Sequence, residues 1–497
     1  MKFKVQIIVE SDSSEQVSTV EAAVWERSTD GNDAEIDNFG MTLSESKELL
    51  RQSQQTMIDE QMRQFLKKVA DCPQCGRRRK VKGKHQLIYR TLFGRFHLNS
   101  PRLFHCSSCQ PPAETQTATF SPLAQALSER TSPELQYLEA KFGAQISYGL
   151  SRQLLAEVLP LHSEFNAATI RNHVLRIGER LDSELDEEKE VFIKGCPRDW
   201  ANLPRPDLPL TVGIDGGYVR CKQNDCAKPS CFEVIVGKSF KADGTAKCFG
   251  FVGGIDKQPR RRLYAVLQSQ GMQLNQQITF LSDGGDSVRE LQYFLNPQAE
   301  HLLDWFHVTM RLTVLRQMVR GLENIELRKN LLAKFERIKW FLWHGNVRRA
   351  LEKVDDCVAE LTAAEEEQAA FKQTKLLATL AEFEIYIENN QAMIPNYGER
   401  FRNGEAIATG FVESAVNQII AKRFVKKQQM RWTKRGAHLL LQVRTQILNE
   451  ELRQTFARWH RKVFAADFQE KTAVGAKMLE TSVAIAATEA ADLALPA

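Results

Sequence analysis

The chain has 497 residues, 43% of them hydrophobic and 26% charged, a balance that excludes a disordered chain and a disulfide-stapled miniature and leaves room for about three domains. Lys and Arg number 67 against 62 Asp and Glu, a net charge of only +5, so total charge singles out no class of partner. No stretch approaches the roughly 18 apolar residues of a membrane span, and the opening MKFKVQIIVESDSS turns acidic too early for a signal peptide, so a cytoplasmic protein without membrane contact is expected. In that compartment the ten cysteines read as metal ligands or buried thiols in preference to disulfides.

Residues 1–10 alternate like a short strand, while 11–40 are polar, acidic and rich in Ser, Asp and Gly; residues 1–41 are therefore expected to form an acidic, partly flexible opening. The segment from Thr42 to Val69 has helical periodicity, although Ser44, three residues before Lys47, makes a poor capping box. That helix runs into a cysteine module, and 42–118 reads as one unit. Residues 119–195 read as helical: SYGLSRQLLAEVLP and NAATIRNHVLRIGERLDSELDEE are separated by a short turn, with Asn166 or Ala167 at the cap of the second. Such a pair is either a DNA-reading helix-turn-helix or two plain packing helices.

From Pro204 the pattern changes. PLTVGIDGGYVR, CFEVIVGKSF and AKCFGFVGGI are three strand-like runs in series; RRRLYAVLQSQGMQL reads as a helix, NQQITFLSDGG as a buried strand, DSVRELQYFLN as a helix and EHLLDWFHV as a last strand. The order β-β-β-α-β-α-β is that of a ribonuclease H-like mixed sheet, over 204–308. Residues 309–403 show helical patterns only and interrupt that core as an all-helical insertion; 404–470 supply its final helices and a basic region, and the Ala-rich 471–497 reads as a flexible tail. The fold class expected is multidomain α/β.

Charge is unevenly placed. Between Glu10 and Glu48 eleven acids face two bases, whereas Ala421 to Lys462 carries twelve bases and two acids, the footprint of a polyanion-binding segment. Within it Lys426, Lys427, Arg431, Lys434 and Arg435 are candidate phosphate contacts, and Trp432 is placed either to stack on a base or to pack a helix. Arg260, Arg261 and Arg262 offer further phosphate contacts or a solvated turn, and Asp256 and Asp286 read as solvated.

The strongest local motif is Cys72-Pro-Gln-Cys75-Gly with Cys106-Ser-Ser-Cys109. Two C-x-x-C knuckles bring four thiolates to tetrahedral reach of a structural Zn²⁺, and the alternating segment between them makes a hairpin, so a zinc ribbon is expected. Arg77, Arg78, Arg79 and Lys80 beside it are candidate DNA contacts. Cys221, Cys226 and Cys231, with Cys248, form a weaker second set, spaced more widely than a usual knuckle.

A carboxylate set carries the chemistry. Asp215 ends the apolar run LTVGID and is followed by two glycines, and Asp283 repeats the pattern in ITFLSDGG; a buried acid on an apolar strand is costly unless paired or metal-bound. In the expected topology the strands bearing them are neighbours. A third acid is expected on a later helix, where Glu413 opens GFVESAVNQIIAKR, with Glu405 as its rival. Three acids so placed can hold two Mg²⁺ (or Mn²⁺) ions roughly 3.5–4 Å apart for phosphoryl transfer.

These residues resemble a family. VGIDGG at Asp215, FLSDGG at Asp283, LLDWFHV from Asp304 to His307 and the block at Glu413 are similar to DDE-type transposases of bacterial insertion sequences, specifically the Kra-type family, related to mutator-like and ISL-type groups, over roughly residues 40–470. The resemblance implies a [C/D]-x-x-H motif, matched by Asp304 and His307, which gives His307 a role near the scissile phosphate or in orienting the site, where the residues alone would also allow a core histidine. It accounts for the helical insertion, although Asp304 remains an alternative second metal ligand. It also implies double-stranded DNA as partner, both as the ends of a transposable element and as target, and a homo-oligomer. A nuclease without strand transfer and a DNA-binding regulator with an inactive core are the rival readings.

Overall fold

The computed structural model describes residues 2–465 apart from 12–13, 28–39, 107–108, 110–117, 162–164, 190–197, 199–201, 205–208, 223–230, 242, 286–287, 289–290, 292–298, 366–370 and 425–429; the expected tail 471–497 lies outside the described residues. The protein is a mixed α/β chain of two units, Met1–Val174 with Leu452–Ala497, and Leu175–Glu451. Among the described residues no helix is long and apolar enough to cross a membrane.

The first unit opens with a hairpin, β1 (Lys2–Ser11) against β2 (Ser14–Glu26), in antiparallel register through Phe3↔Trp25 and Ile7↔Val20. Residues 14–26, whose polar composition suggests a loosely packed opening, thus form a strand in which Val20, Ala22 and Val24 recur every second residue; 28–39 lie outside the described residues. Helix α1 (Leu43–Val69) starts at Thr42, whose side chain accepts from Glu45 N while the Glu45 carboxylate accepts from Thr42 N. The capping box is therefore Thr42–Glu45, not one built on Ser44 and Lys47. Hydrogen bonds from Arg27, then from Thr42, hold the Glu45 carboxyl down at about 2.

Ile58 of α1 packs with Leu87, Phe96 and Leu98 of the antiparallel pair β3 (Val81–Thr91) and β4 (Gly94–Phe104), and with Leu123. Short β5 (Thr119–Phe120) completes a three-stranded sheet. Helices α2 (Pro122–Ala126), α3 (Pro133–Gly143) and α4 (Tyr148–Val158) are capped by Ser121, Ser132 and Ser147. In α5 (Ala167–Ser183), Thr169 N donates to Asn166 Oδ1 at 2.9 Å, as the sequence places the cap. A Cβ on Gly143 would lie 2.9 Å from Ile170, so α3 and α5 approach closely. The helix Leu452–Trp459 packs on α3 in this unit, Phe456 edge-on to Tyr137 at 5.5 Å, although the sequence groups it with the core of the second unit.

The second unit is built on five strands: β6 (Leu210–Arg220), β7 (Cys231–Phe240), β8 (Ala246–Val252), β9 (Ile278–Ser282) and β10 (Glu300–Leu303). Their order is β10-β9-β6-β7-β8. β6, β7 and β8 pair antiparallel, whereas β9 runs parallel to β6, and β10 parallel to β9. Helix α6 (Pro259–Ser269) buries Leu263 and Leu267 against Leu210, Val212, Ile278 and Phe280. The helix expected over 286–296 lies largely outside the described residues.

EHLLDWFHV is not one strand. β10 stops at Leu303, and Asp304 caps α7 (Trp305–Arg320) by accepting from Phe306 N at 2.8 Å; a buried Asp at a strand end supplies the acceptor that a new helix needs. Helices α8 (Ile325–Trp343), α9 (Val347–Glu365), α10 (Phe371–Asn389) and α11 (Tyr397–Arg402) follow. Together with α7 they share a core that includes Leu315, Leu331, Phe335, Leu380 and Phe383. Helix α12 (Gly410–Val416) passes into a π turn (Asn417–Ala421), and α13 (Lys434–Leu448) covers β8.

Candidate functional site

β6 and β9 pair parallel with Gly213 opposite Leu281. Two residues further on, Asp215 and the position just past the end of β9, Asp283, therefore come level. Each carboxylate is steadied by a backbone amide of its own turn: Gly216 N donates to Asp215 Oδ1 at 2.7 Å and Gly285 N to Asp283 Oδ1 at 2.9 Å. Among the described residues no protein donor engages the second oxygen of either. Gly284 has φ +81°, and a Cβ there would clash with the Asn390 amide, so this turn requires glycine.

The third parallel strand ends beside them, Leu303 opposite Ser282 with Asp304 N donating to Ser282 O at 2.8 Å. Asp304 is fully buried, and both its oxygens are engaged: by Phe306 N, by Thr409 N at 3.1 Å and by the Thr409 hydroxyl. It thus joins the start of α7 to the residue that precedes α12. These three donors occupy much of its acceptor capacity, unlike that of Asp215 or Asp283. Burial pushes the Asp304 carboxyl up against the pull of these donors.

His307 lies one turn into α7, with Nε2 3.6 Å from Asp304 Oδ2. Burial pushes the Asp215 carboxyl up; His307 and the Gly216 amide oppose this, and the charges of Asp283 and Asp304 add to it. Asp215, Asp283, Asp304 and His307 therefore share one electrostatic environment, where the parallel strands β9 and β10 end beside the middle of β6, and the carboxyl ends of parallel strands are where open α/β sheets bind ligands.

Helix α12 packs on β6 and β7. A Cβ on Gly217 would lie 2.6 Å from Ile420 Cδ1 and 3.7 Å from Val416 Cγ1, and Gly217 shares its sheet face with Asp215. The helix backbone that carries Glu413 thus crosses the face from which Asp215 projects, although the Glu413 side chain lies outside the described part. The π turn after it leaves carbonyls that buried Arg444 satisfies, donating Nε to Ile419 O at 2.8 Å and Nη2 to Gln418 O. Glu405 instead pairs with Arg400 at 2.7 Å, which also holds Glu300.

The chain matches no family model, and no curated protein matches it. What the site can do is read from its own residues.

In the first unit the ligand atoms of Cys72, Cys75, Cys106 and Cys109 all lie within 4.8 Å of one another, with Cys75 Sγ 3.6 Å from Cys106 Sγ. A tetrahedral Zn²⁺ with sulfur bonds of ~2.3 Å sets its sulfurs roughly 3.8 Å apart, so these four thiols could hold zinc. The first knuckle is shaped for it: Gly76, at φ +71°, donates its N–H to Cys72 O at 2.9 Å, and Cys72 N donates to Arg77 O at 2.8 Å. Backbone donors from Cys75 and Gln74 lower the Cys72 thiol, whereas hydrogen bonding with Cys75, with burial, pushes Cys109 up to about 12; thiols this crowded favour a shared cation.

The second cysteine set does not assemble. Cys221 is disulfide-bonded, against the expectation of reduced cysteines, and Cys226 lies outside the described residues. Cys231 pairs opposite Arg220, whereas Cys248 pairs opposite Lys238, seven positions or roughly 23 Å along β7.

Two further expectations are corrected. Asp256 is not solvated, and Arg260–Arg262 are not free for phosphate: Arg262 bridges Asp256 at 2.6 Å and Asp182 at 2.5 Å, Arg261 meets Asp186 at 2.5 Å, and the backbone amides of Arg260 and Arg261 donate to Glu188. Asp182, Asp256 and His438 form an Asp-Asp-His group with metal-ligand spacing, but the Arg262 guanidinium already supplies its cation.

Of the other candidate DNA contacts, Arg77, Arg78 and Lys80 are exposed beside the cysteine cluster. Arg79 donates to Val69 O and lies over the Phe120 ring. Arg431 is exposed, Lys434 opens α13 and Arg435 pairs with Glu179 at 2.7 Å. Trp432 bonds through its backbone to Arg220 and Lys222, and its ring packs on Phe424 at 4.9 Å with Arg423 stacked on it, a packing role. Lys426 and Lys427 lie outside the described residues.

Sequence reasoning missed Thr409, which binds Asp304; Asn390, which packs against Gly284; and Tyr386, with Arg311 over its ring. Only Arg311 had a signal, its position four residues after His307 on the same helical face.

Proposed function

We propose that the chain is a DDE-type DNA transposase that hydrolyses phosphodiester bonds at the ends of its element and joins the freed 3′ hydroxyl to target DNA. The observation that carries this reading is the level placement of Asp215, within β6, and Asp283, just past the end of the adjacent parallel strand β9, each with one carboxylate oxygen that no donor among the described residues engages, near His307 and buried Asp304. The strand order β10-β9-β6-β7-β8 is the one a ribonuclease H-like core requires, and an α12 that crosses the Asp215 face supports Glu413 as third acid.

The donor set suits Mg²⁺ or Mn²⁺, which favour a few hard carboxylate oxygens completed by substrate phosphate. When bound, two such ions supply an activated attacking oxygen and a neutralised leaving oxygen. Asp215, Asp283 and Glu413 would hold them. Asp304 fixes the start of α7, so that His307 faces the reacting phosphate and contributes a hydrogen bond to it. In the first step water attacks phosphorus and the bond to the 3′ oxygen breaks, which leaves a 3′ hydroxyl and a 5′ phosphate; in the second that hydroxyl attacks a target phosphodiester, gives up its proton, and displaces the target's own 3′ oxygen, which leaves as a 3′ hydroxyl. A zinc ribbon at Cys72, Cys75, Cys106 and Cys109, the α4–α5 pair as a helix-turn-helix, and the basic segment around Arg431 and Lys434 bind the DNA backbone and its grooves. Synapsis of two ends makes the working form a homo-oligomer.

The test is cleavage and joining of DNA that carries the gene's flanking ends, with Mg²⁺ or Mn²⁺, by wild type, Asp215→Ala and Glu413→Ala. Nicks at the ends and joined products, lost in both variants, are expected. Cleavage without joining would make the protein a nuclease, and binding without cleavage a DNA-binding regulator.

A further inference from the structure

We propose that Arg311 contacts the phosphodiester that reacts at this site, a substrate-touching residue from the helical segment and not part of the carboxylate set. The inference rests on the reading above and deepens it.

Three observations relate Arg311 to the site. It follows His307 by one turn on α7, so the two side chains share a helix face, while Val308, Leu312, Leu315 and Val319 turn to the helical core. Its guanidinium carbon stands 4.0 Å from the centre of the Tyr386 ring on α10. The C-terminal end of α10 in turn leans on the acidic turn: Asn390 Nδ2 donates to Tyr386 O at 2.8 Å, and its amide oxygen fills the space where a Cβ on Gly284 would stand. A stack of Arg311, Tyr386 and Asn390 therefore reaches the residue after Asp283. The charges of Asp283 and Asp304 both act on the Tyr386 phenol, which burial pushes up.

Among the described residues Arg311 forms no ion pair, and its side chain is exposed. The contact with Tyr386 restrains its rotamers, and the guanidinium carries five N–H donors, more than one phenol engages. The N–H edge of a guanidinium suits two oxygens of one phosphate, a geometry that a lysine ammonium does not reproduce. Negative charge grows on the non-bridging oxygens as phosphorus becomes five-coordinate, and a fixed cation beside them is worth more in that state than in the ground state.

The experiment uses the full chain and two readouts. Phenylglyoxal labels accessible arginines, and mass spectrometry of the free protein and of its complex with a duplex carrying the flanking ends reports whether DNA shields Arg311. Single-turnover cleavage at saturating duplex then compares wild type, Arg311→Ala, Arg311→Lys and Tyr386→Phe. Labelling of Arg311 that falls on DNA binding is expected, with a cleavage rate lowered about 100-fold in Arg311→Ala, partly recovered in Arg311→Lys and retained in Tyr386→Phe, at unchanged thermal midpoint. Unprotected Arg311 and wild-type rates in Arg311→Ala would overturn the inference and leave the acid site standing. A wild type that never cleaves would instead overturn the transposase reading; protection alone then decides the phosphate contact, and its absence overturns that too.

Discussion

His307 Nε2 and Asp304 Oδ2 lie 3.6 Å apart across the first turn of α7, and the same Asp304 carboxylate binds the amide and hydroxyl of Thr409, just before α12. One buried acid thus sets two helices on the sheet. Asp304→Ala would leave the Thr409 amide and the first-turn amide of α7 without acceptors, at a cost of about 2–4 kcal/mol from a lost cap and an unsatisfied buried donor. Urea unfolding measures the loss; a variant as stable as wild type would show that the carboxylate does not organise this junction.

Zinc bound at Cys72, Cys75, Cys106 and Cys109 should appear as one ion per chain by elemental analysis, released by a thiol-reactive reagent. Cys72→Ser removes the ligand on the buried side of the cluster and is expected to abolish stoichiometric zinc, lowering the thermal midpoint of the first unit by roughly 4–8 °C for each 2 kcal/mol lost. Full-length protein purified without zinc and unchanged in melting would refute the site.

Gly217 admits the π turn to β6, and a Cβ there would lie 2.6 Å from Ile420 Cδ1. Gly217→Val should cost about 1–3 kcal/mol by overpacking, and Ile420→Ala should recover part of it, because the two side chains compete for one space. Additive losses in the double variant would contradict this packing.

Burial would raise the Asp182 carboxyl, but hydrogen bonds from His438 and Arg262 prevail and hold it at about 2. A carboxyl depressed in the folded state contributes stability that is fully present above its unfolded value near 4 and is lost as pH falls from about 5 towards 2. Because Asp182 is partly exposed, screening leaves this contribution near 1 kcal/mol. Asp182→Asn should flatten that limb of the stability profile, read by denaturant midpoints between pH 3 and pH 7; an unchanged slope would dismiss the coupling.

Local chemistry was legible in the sequence where one element carries its own signal. The alternation in LTVGID and ITFLS marks β6 and β9, Asn166 marks the start of α5, and the knuckle spacing marks the cysteine cluster, because period, cap and spacing act within a few residues. It failed where a partner element decides. β2 is polar in composition and becomes a strand through its pairing with β1, and DWFHV reads as strand until Asp304 caps a helix with it. The Arg260–Arg262 run reads as a free basic patch because its acids lie up to 80 positions away, as Arg262 and Asp182 do.

By itself, then, the sequence determined which residues carry ligand chemistry: two acids closing apolar strands, a histidine one turn after a third, and four paired thiols. Only the tertiary structure decided which of those acids is available. Among the described residues Asp215 and Asp283 each accept from one backbone amide, while both oxygens of Asp304 accept from Phe306 and Thr409. It alone also brought Arg311, Tyr386 and Asn390 to the same turn. The physical reason is that side-chain type and local periodicity are properties of neighbouring residues, whereas the hydrogen bonds that commit or release a carboxylate come from residues about a hundred positions apart, brought together by the burial of their helices.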